Sequence, residues 1–328
     1  MVDRPLPSVP SSPFLVRLKL LRREVTMLPC MCKGGPWLVR YVRATAGDQA
    51  RIREFLSQFV DDYLSEHIAA YLSSELGGIY LALDEQNQLL ATAVVDMVKP
   101  HEAYITGMRM RPDVQSTGLG QEFAEFQIQE AKRLGAQVIR ALIGRGNEAS
   151  QKILQESLGF QVVAEWVVGS LQGFEAPEYA DLNAGPAWAV DRDRLAAFVN
   201  QHTGDLWSDR DHWLPRTLTF DDVWHGVESG SAAVVPQDNQ VGVDALALFR
   251  IHDGDMHLHY LRSMGPKLRA LMQYLWVEAR AWGVKTLHFG LPRHAADKFV
   301  EVAGLPLIRE WHGIVLEKHV GLTSSSAV

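Results

Sequence analysis

One order of secondary-structure elements occurs twice in this chain, and nothing else in the sequence restricts its fold as strongly. Between residues 37 and 168, alternating and helical apolar periodicities give the order β-α-α-β-β-β-α-β-α-β. Strands are expected over Trp37–Arg43, Ile79–Leu83, Leu89–Asp96, Glu102–Met110, Gln137–Ile143 and Phe160–Val168. Helices are expected over Ala50–Val60, Asp62–Glu75, Leu119–Leu134 and Asn147–Leu158. A similar order returns with strands at Trp188–Val190, Ser231–Val235, Val243–Ile251, Met256–Leu261, Val284–Phe289 and Leu307–Leu316. Its helices are Asp193–Asn200, Phe220–Val227, Lys267–Trp282 and Arg293–Val302. Such recurrence reads as an internal duplication. The fold class is therefore α/β, with a mixed α+β sheet in two tandem domains, residues 37–170 and 187–320. Residues 171–186, with their Gly, Pro and acidic residues, read as a linker, and 321–328 as a tail.

Composition removes several classes of function. At 47% hydrophobic and 22% charged residues the chain has enough apolar side chains for a packed core, so disorder throughout is excluded. A formal net charge of −7 argues against a dedicated nucleic-acid binder. No apolar run approaches the ~20 residues of a membrane span, so no membrane partner is expected. Two cysteines in 328 residues argue against a disulfide scaffold and fit the cytoplasm. Residues 1–36 differ from the rest: six basic residues face two acidic ones, and the start is Pro/Ser-rich. They read as a disordered extension, with Met27 and Met31 as alternative starts.

The stretch with the clearest chemistry is Met108–Gly120, MRMRPDVQSTGLG, where a strand runs through a loop into a helix. Gly118 and Gly120 allow close approach of a ligand to the backbone. The first turn of the helix presents unpaired N–H groups and the positive end of its dipole, which suits a pyrophosphate. No Lys-Ser/Thr follows the glycines, so this is no P-loop. Phe123 stands where the dinucleotide fingerprint has its third glycine.

Gln115-Ser116-Thr117-Gly118-Leu119-Gly120 resembles the Gln/Arg-x-x-Gly-x-Gly/Ala signature of the GNAT acetyltransferases. The strand ending in Arg111-Pro112 before it, and GRGNEASQKILQESLGF after it, match that family's context. The resemblance implies an acetyl-CoA-dependent N-acetyltransferase that acts by direct attack of an amine in a ternary complex. It implies that acetyl-CoA is held at its pyrophosphate by the amides of Gln115, Ser116, Thr117, Gly118, Leu119 and Gly120. Met108 and Met110 would offer main-chain groups to the pantetheine arm, the amide near Met110 would stabilise the developing oxyanion, and Asn147 would orient the arm. The acceptor partner is an amine on a small molecule or a protein. The acidic folded region favours a cationic one.

One departure concerns the acid. Many members of the family carry a tyrosine on the helix before the closing Gly-Phe. Counting to that place from either end reaches Leu154 or Gln155, because the segment is one residue longer than usual. Tyr104 is a candidate acid in its stead. Glu102, His101 and Asp96 are candidate bases, with Glu102 first. Arg145 is a candidate for a CoA phosphate.

The loop of the second half, Arg262 to Lys267, lacks the glycine pattern and places Pro266 at the helix start. The second domain is therefore expected to be degenerate, completing the acceptor cleft. Its order of active and degenerate halves is the reverse of that in mycothiol synthase, a tandem member of the family. Two metal readings arise, Cys30-Met31-Cys32 and the cluster His252, Asp253, Asp255, His257 and His259. Neither has common ligand spacing, and no metal is assigned. A catalytically silent acyl-CoA-binding or interaction protein is the alternative function. Monomer and homodimer are both open.

Overall fold

The computed structural model describes residues 26–30, 37–60, 62–173, 183–209, 214–238, 241–263 and 267–321. The first half contains β1 (Thr26–Cys30), β2 (Trp37–Arg43), α1 (Gln49–Leu56), α2 (Leu64–Ser73), β3 (Gly77–Leu83), β4 (Leu89–Lys99) and β5 (Glu102–Met110). It continues with α3 (Leu119–Arg133), β6 (Val138–Gly144), α4 (Glu148–Lys152) and β7 (Gln161–Gln172). The second half contains β8 (Gly185–Pro186), α5 (Arg192–Gln201), β9 (Leu206–Asp209), β10 (Leu214–Thr217), α6 (Phe220–Glu228), β11 (Ala232–Pro236) and β12 (Val243–His252). It ends with β13 (Asp255–Ser263), α7 (Lys267–Ala281), β14 (Thr286–Pro292), α8 (Arg293–Ala303) and β15 (Leu307–His319).

Both halves build a single mixed sheet of 13 strands, in the order β1-β2-β3-β4-β5-β6-β15-β7-β14-β13-β12-β11-β8. All neighbours are antiparallel except β5–β6 and β13–β14, which occupy equivalent places in the two halves. The middle of the sheet is an exchange. The last strand of the second half, β15, lies between β6 and β7, and β7 lies against β14 of the second half. Each half thus completes its sheet with a strand from the other.

Local sequence explains the helices that carry the site. Helix α3 buries Phe123, Ala124, Ile128 and Ala131, and Tyr41 of β2 stacks on Phe123 and Phe126 with ring centroids 5.1 and 4.8 Å away. Lys132 and Arg133 stand in its last turn, where they complement the dipole, and Gly135 follows at φ +99°. On the other face of the first half, α1 and α2 cover Ile79, Leu81 and Val94 with Ile52, Leu64 and Ile68. Helices α7 and α8 cover the second half with Leu271, Leu275 and Phe299 against Leu287 and Phe289.

Several sequence expectations are corrected. The stretch before residue 37 supplies β1, which pairs with β2 and covers what would otherwise be an open edge. The Pro/Ser-rich start and Cys32 lie outside the described residues. Trp188–Val190 is no strand: Ala189–Asp191 forms a 3₁₀ turn because the Asp191 carboxylate accepts from Trp188 N at 2.8 Å. The hairpin β9–β10 was not anticipated. It lies between the halves and is tied to the first by buried charge. Arg140 of β6 donates to Glu102 at 2.8 Å, to Glu317 at 2.7 Å and to the Thr217 hydroxyl at 2.9 Å. Lys99 pairs with Asp222 of α6, and Arg216 donates to Val98 O.

Candidate active site

The site starts where a ladder fails. β5 and β6 pair only over Glu102–Tyr104 against Val138–Arg140; beyond that the two parallel strands splay. A cavity of about 700 Å³ fills the gap, lined by Tyr104, Ile105, Gly107 and Met108 on one side and by Ala141, Leu142 and Gly144 on the other. Gly107 helps to shape it. It sits at φ +63° where the β4–β5 register shifts, and a Cβ there would come within 2.9 Å of Val94 Cγ2. Tyr63 secures this bulge: its hydroxyl accepts from Gly107 N at 3.2 Å and bonds the Thr106 hydroxyl.

At one end the cavity reaches Gly120 in the first turn of α3 and Asn147 at the start of α4. The loop before α3 is wound tightly. Ser116 and Gly118 have φ +62° and +102°, and the Thr117 hydroxyl donates to Val114 O at 2.7 Å. Among the described residues, the backbone N–H groups of Ser116, Thr117, Gly118 and Gly120 have no partner. A Cβ at Gly120 would lie 3.0 Å from Met110 Cε and 3.5 Å from Ile153 Cδ1, so this glycine keeps the passage open. Arg111 N donates to Leu90 O on β4. Strand alternation therefore turns the amide of Met110 to the opposite edge, into the gap. Gln115 Nε2 reaches Met110 O at 3.3 Å across the same edge. Met108 lines the cavity, and its carbonyl accepts from Arg109 Nη1 at 3.0 Å. Asn147 lines it too, while its Oδ1 caps α4 by accepting from Ser150 N at 3.1 Å. The extra residue noted in this segment is absorbed as a π-turn over Ile153–Ser157, which puts Leu154 into the cavity wall.

At the other end lie Tyr63, His67, Ala70, Tyr71 and Ser74, together with Asp96 on β4. The first five repeat at helical spacing from the residue before α2 to the residue after it, on the face next to the buried Leu64 and Ile68. That polar and aromatic stripe was a legible signal that sequence reading passed over. Leu214, Arg309 and Trp311 come from the second half. Trp311 packs so closely that a Cβ on Gly144 would meet its ring at 3.4 Å and one on Gly313 at 2.4 Å. No local pattern announces these residues, because the exchange of β15 brings them in.

The candidate acid and bases separate clearly. Glu102 is at the closed, paired end of β5, bonded to Arg140 and to Thr217 N, and it does not line the cavity. It belongs to the charge lock between the halves, which corrects its assignment as base. His101 is exposed in the turn before β5. Asp96 lines the cavity, beside Tyr104 in the β4–β5 ladder. Tyr104 is 1% exposed at the point where the strands part, and burial pushes its hydroxyl well above the ordinary phenol value. Arg145 pairs with Glu165 and does not line the cavity.

In the second half, β13 and β14 part after Leu258 and Phe289. The cavity of about 740 Å³ beyond them is lined by Tyr260, Arg262, Arg293 and His294. Gly265 and Pro266 lie outside the described residues; Lys267, which opens α7, pairs with Asp238 and Asp244. Beside the cluster of His252, Asp253, Asp255, His257 and His259, His288 bonds Ser170 at 2.8 Å and stands 3.4 Å from Asp255. Among the described residues, no three His, Cys, Asp or Glu side chains converge to hold a metal. No described helix is long and apolar enough to cross a membrane.

Comparison with known proteins agrees with this geometry. Residues 48–160 match the Acetyltransferase (GNAT) family. The N-acetyltransferase YvbK of Bacillus subtilis, itself uncharacterized, is 29% identical over 108 residues; the match spans 32% of this chain and 60% of YvbK. In fold, the chain is similar to a GCN5-related N-acetyltransferase from Sphaerobacter thermophilus, with TM-score 0.59, 14% identity and coverage of 86% of this chain and 95% of that one. It is also similar to the GCN5-related glucosamine N-acetyltransferase region of a fungal multidomain β-N-acetylglucosaminidase, with TM-score 0.60, 13% identity and coverage of 87% of this chain and 38% of that one. The site takes most of its lining from the segment that matches the GNAT family, residues 48–160, and gains Leu214, Arg309 and Trp311 from outside it, through a sheet that the two halves share.

Proposed function

We propose that the first half transfers an acetyl group from acetyl-CoA to a primary amine in a ternary complex. The observation that carries this reading is the splay of β5 from β6. It opens one continuous cavity from Gly120, in the first turn of α3, to an aromatic and carboxylate-bearing face. The chain fits the co-substrate at both of its demanding points. Unpartnered amides at Ser116, Thr117, Gly118 and Gly120, at the positive end of a 15-residue helix, suit a pyrophosphate. The space beside Gly120 and Met108 admits a slender arm.

Acetyl-CoA, when bound, supplies the activated thioester. The amide of Met110, turned into the gap, is the donor that polarises its carbonyl. Asn147 orients the arm. The acceptor amine must arrive neutral and lose a proton as the new C–N bond forms, and Asp96, directly or through a water, receives it. The departing sulfur needs a proton. Tyr104 holds one at every physiological pH, because burial opposes its ionisation, so it serves as donor. The second half completes the acceptor side with Leu214, Arg309 and Trp311.

Calorimetric titration with acetyl-CoA tests the binding step. One site per chain, lost on replacing Gly118 and Gly120 with valine and leucine but kept on changing Gly265, is the expected outcome. Two sites would assign binding to the second half as well. Binding without CoA release on any amine would leave a silent acyl-CoA-binding protein.

A further inference from the structure

Resting on that transferase reading, we propose that Gln127 is a positioning residue: it fixes the β5 bulge from the α3 side of the sheet and so aims the amides that follow at the thioester carbonyl. The register carries the first step. Thr106 pairs with Val94 before the bulge and Arg109 with Thr92 after it, so β5 holds one residue more than β4 between the two pairs. Amide direction along a strand alternates with period two, and one extra residue reverses the alternation beyond it. Arg111 N donates to Leu90 O on β4, which turns the amide of Met110 and, two residues earlier, that of Met108 into the gap. If the bulge ironed out, these amides would turn toward β4 instead.

A bulge leaves backbone groups outside the ladder, and each needs a partner where water is excluded. Gln127 takes the carbonyls. Its side-chain amide, on a residue 2% exposed, donates from Nε2 to Val94 O at 2.7 Å and reaches Thr106 O at 3.4 Å. It thus spans both strands of the bulge. From the other face, the Tyr63 hydroxyl takes Gly107 N at 3.2 Å, and Thr92 Oγ1 donates to Gly107 O at 3.4 Å. On α3, Gln127 lies among the buried Phe123, Ala124, Ile128 and Ala131, where an apolar residue is the ordinary choice. Its place along the helix suits the role. Gly120 and Gln127 both line the cavity, two helical turns or about 10 Å apart. With the pyrophosphate at the amides before α3, that length carries the arm toward the bulge.

The test uses the full chain and acetyl-CoA labelled with carbon-13 at the acetyl carbonyl, bound without an amine. The carbonyl stretch of the bound thioester reports how well the donor is aimed, since a stronger hydrogen bond lowers it. In Q127M, similar in length but without a donor, the band should lie higher than in the wild type, while calorimetric affinity for acetyl-CoA stays unchanged. With cadaverine, spermidine or phenethylamine as acceptor, kcat should fall about a hundredfold at unchanged KM, the cost of misplacing a catalytic group by about 1 Å. Y63F, which releases Gly107 N on the other face, should show the same changes in smaller measure. Q127E supplies a comparison within one chain. Its carboxyl donates to Val94 O only when protonated, so the band should match the wild type at low pH and Q127M at high pH. That comparison carries the test if Q127M does not fold. A band unchanged in Q127M and independent of pH in Q127E, or a fall in kcat without a shift of the band, overturns this inference and leaves the transferase reading standing. CoA release by the wild type with none of the three amines overturns both.

Discussion

Arg140 offers the most exacting test of how the two halves are joined. Its side chain is 6% exposed and contacts Glu102 from the first half and Glu317 and Thr217 from the second. Replacing it with methionine keeps the aliphatic stem but leaves two carboxylates, each 14% exposed, facing each other without a cation. Removing one partner of a buried ion pair costs about 3–5 kcal/mol, mostly as the penalty on the charge left behind. With an unfolding entropy near 2.1 cal/mol/K per residue, that is roughly 4–7 °C in Tm for a chain of this length. The assay is urea unfolding of R140M, followed by tryptophan fluorescence. The informative comparison is R140M/E102Q/E317Q, in which the three charges of this cluster are gone. If desolvated charge is the cause, the triple variant recovers most of the loss despite lacking all the ion pairs. A loss below about 1 kcal/mol in R140M, or a triple variant no better than the single, would refute the reasoning.

Further outcomes follow from the same geometry. D96N should lower kcat by about a hundredfold or more while acetyl-CoA affinity stays unchanged, because a general base is worth at least that; steady-state CoA release against calorimetric affinity checks it. Y104F should lower kcat similarly, and the loss should shrink with an acyl donor whose leaving thiol is more acidic. His294 in the second cavity has its pKa lowered by burial and by Arg262, so the folded state disfavours its charged form. Stability is therefore retained above the ordinary histidine value of 6.5 and falls as pH drops through and below it. H294Q should flatten that acid-side decline in a series of denaturation midpoints, and a slope unchanged from wild type would refute the assignment.

Much of the site was legible because it is local. The run from Met108 to Gly120 codes a strand, a turn needing positive φ and a helix start within a single stretch, so neighbouring residues were enough to read it. The stripe Tyr63, His67, Ala70, Tyr71 and Ser74 is equally local, but a helical period alone does not say what a face meets, and only the cavity shows it. Glu102 illustrates the opposite case. A carboxylate at a strand end looks available until Arg140 and Thr217, 38 and 115 residues away, arrive to bind it.

Most of the order of strands and helices, the duplication, and the presence of the glycine pattern in one loop and its absence from the other follow from periodicity and from residue types that restrict the backbone. Those are properties of short segments, and the sequence determines them unaided. Which strand lies beside which is another matter. β7 and β15 both alternate and could each close their own half, since strand pairing is made of backbone bonds that every residue offers. The choice to exchange them is made by side-chain packing across the whole sheet: Trp311 over Gly144 and Gly313, Phe289 against Gly169, Arg140 between two glutamates. That packing, present only once the chain is folded, places Arg309 and Trp311 in a cavity more than 150 residues distant from their own place in the sequence.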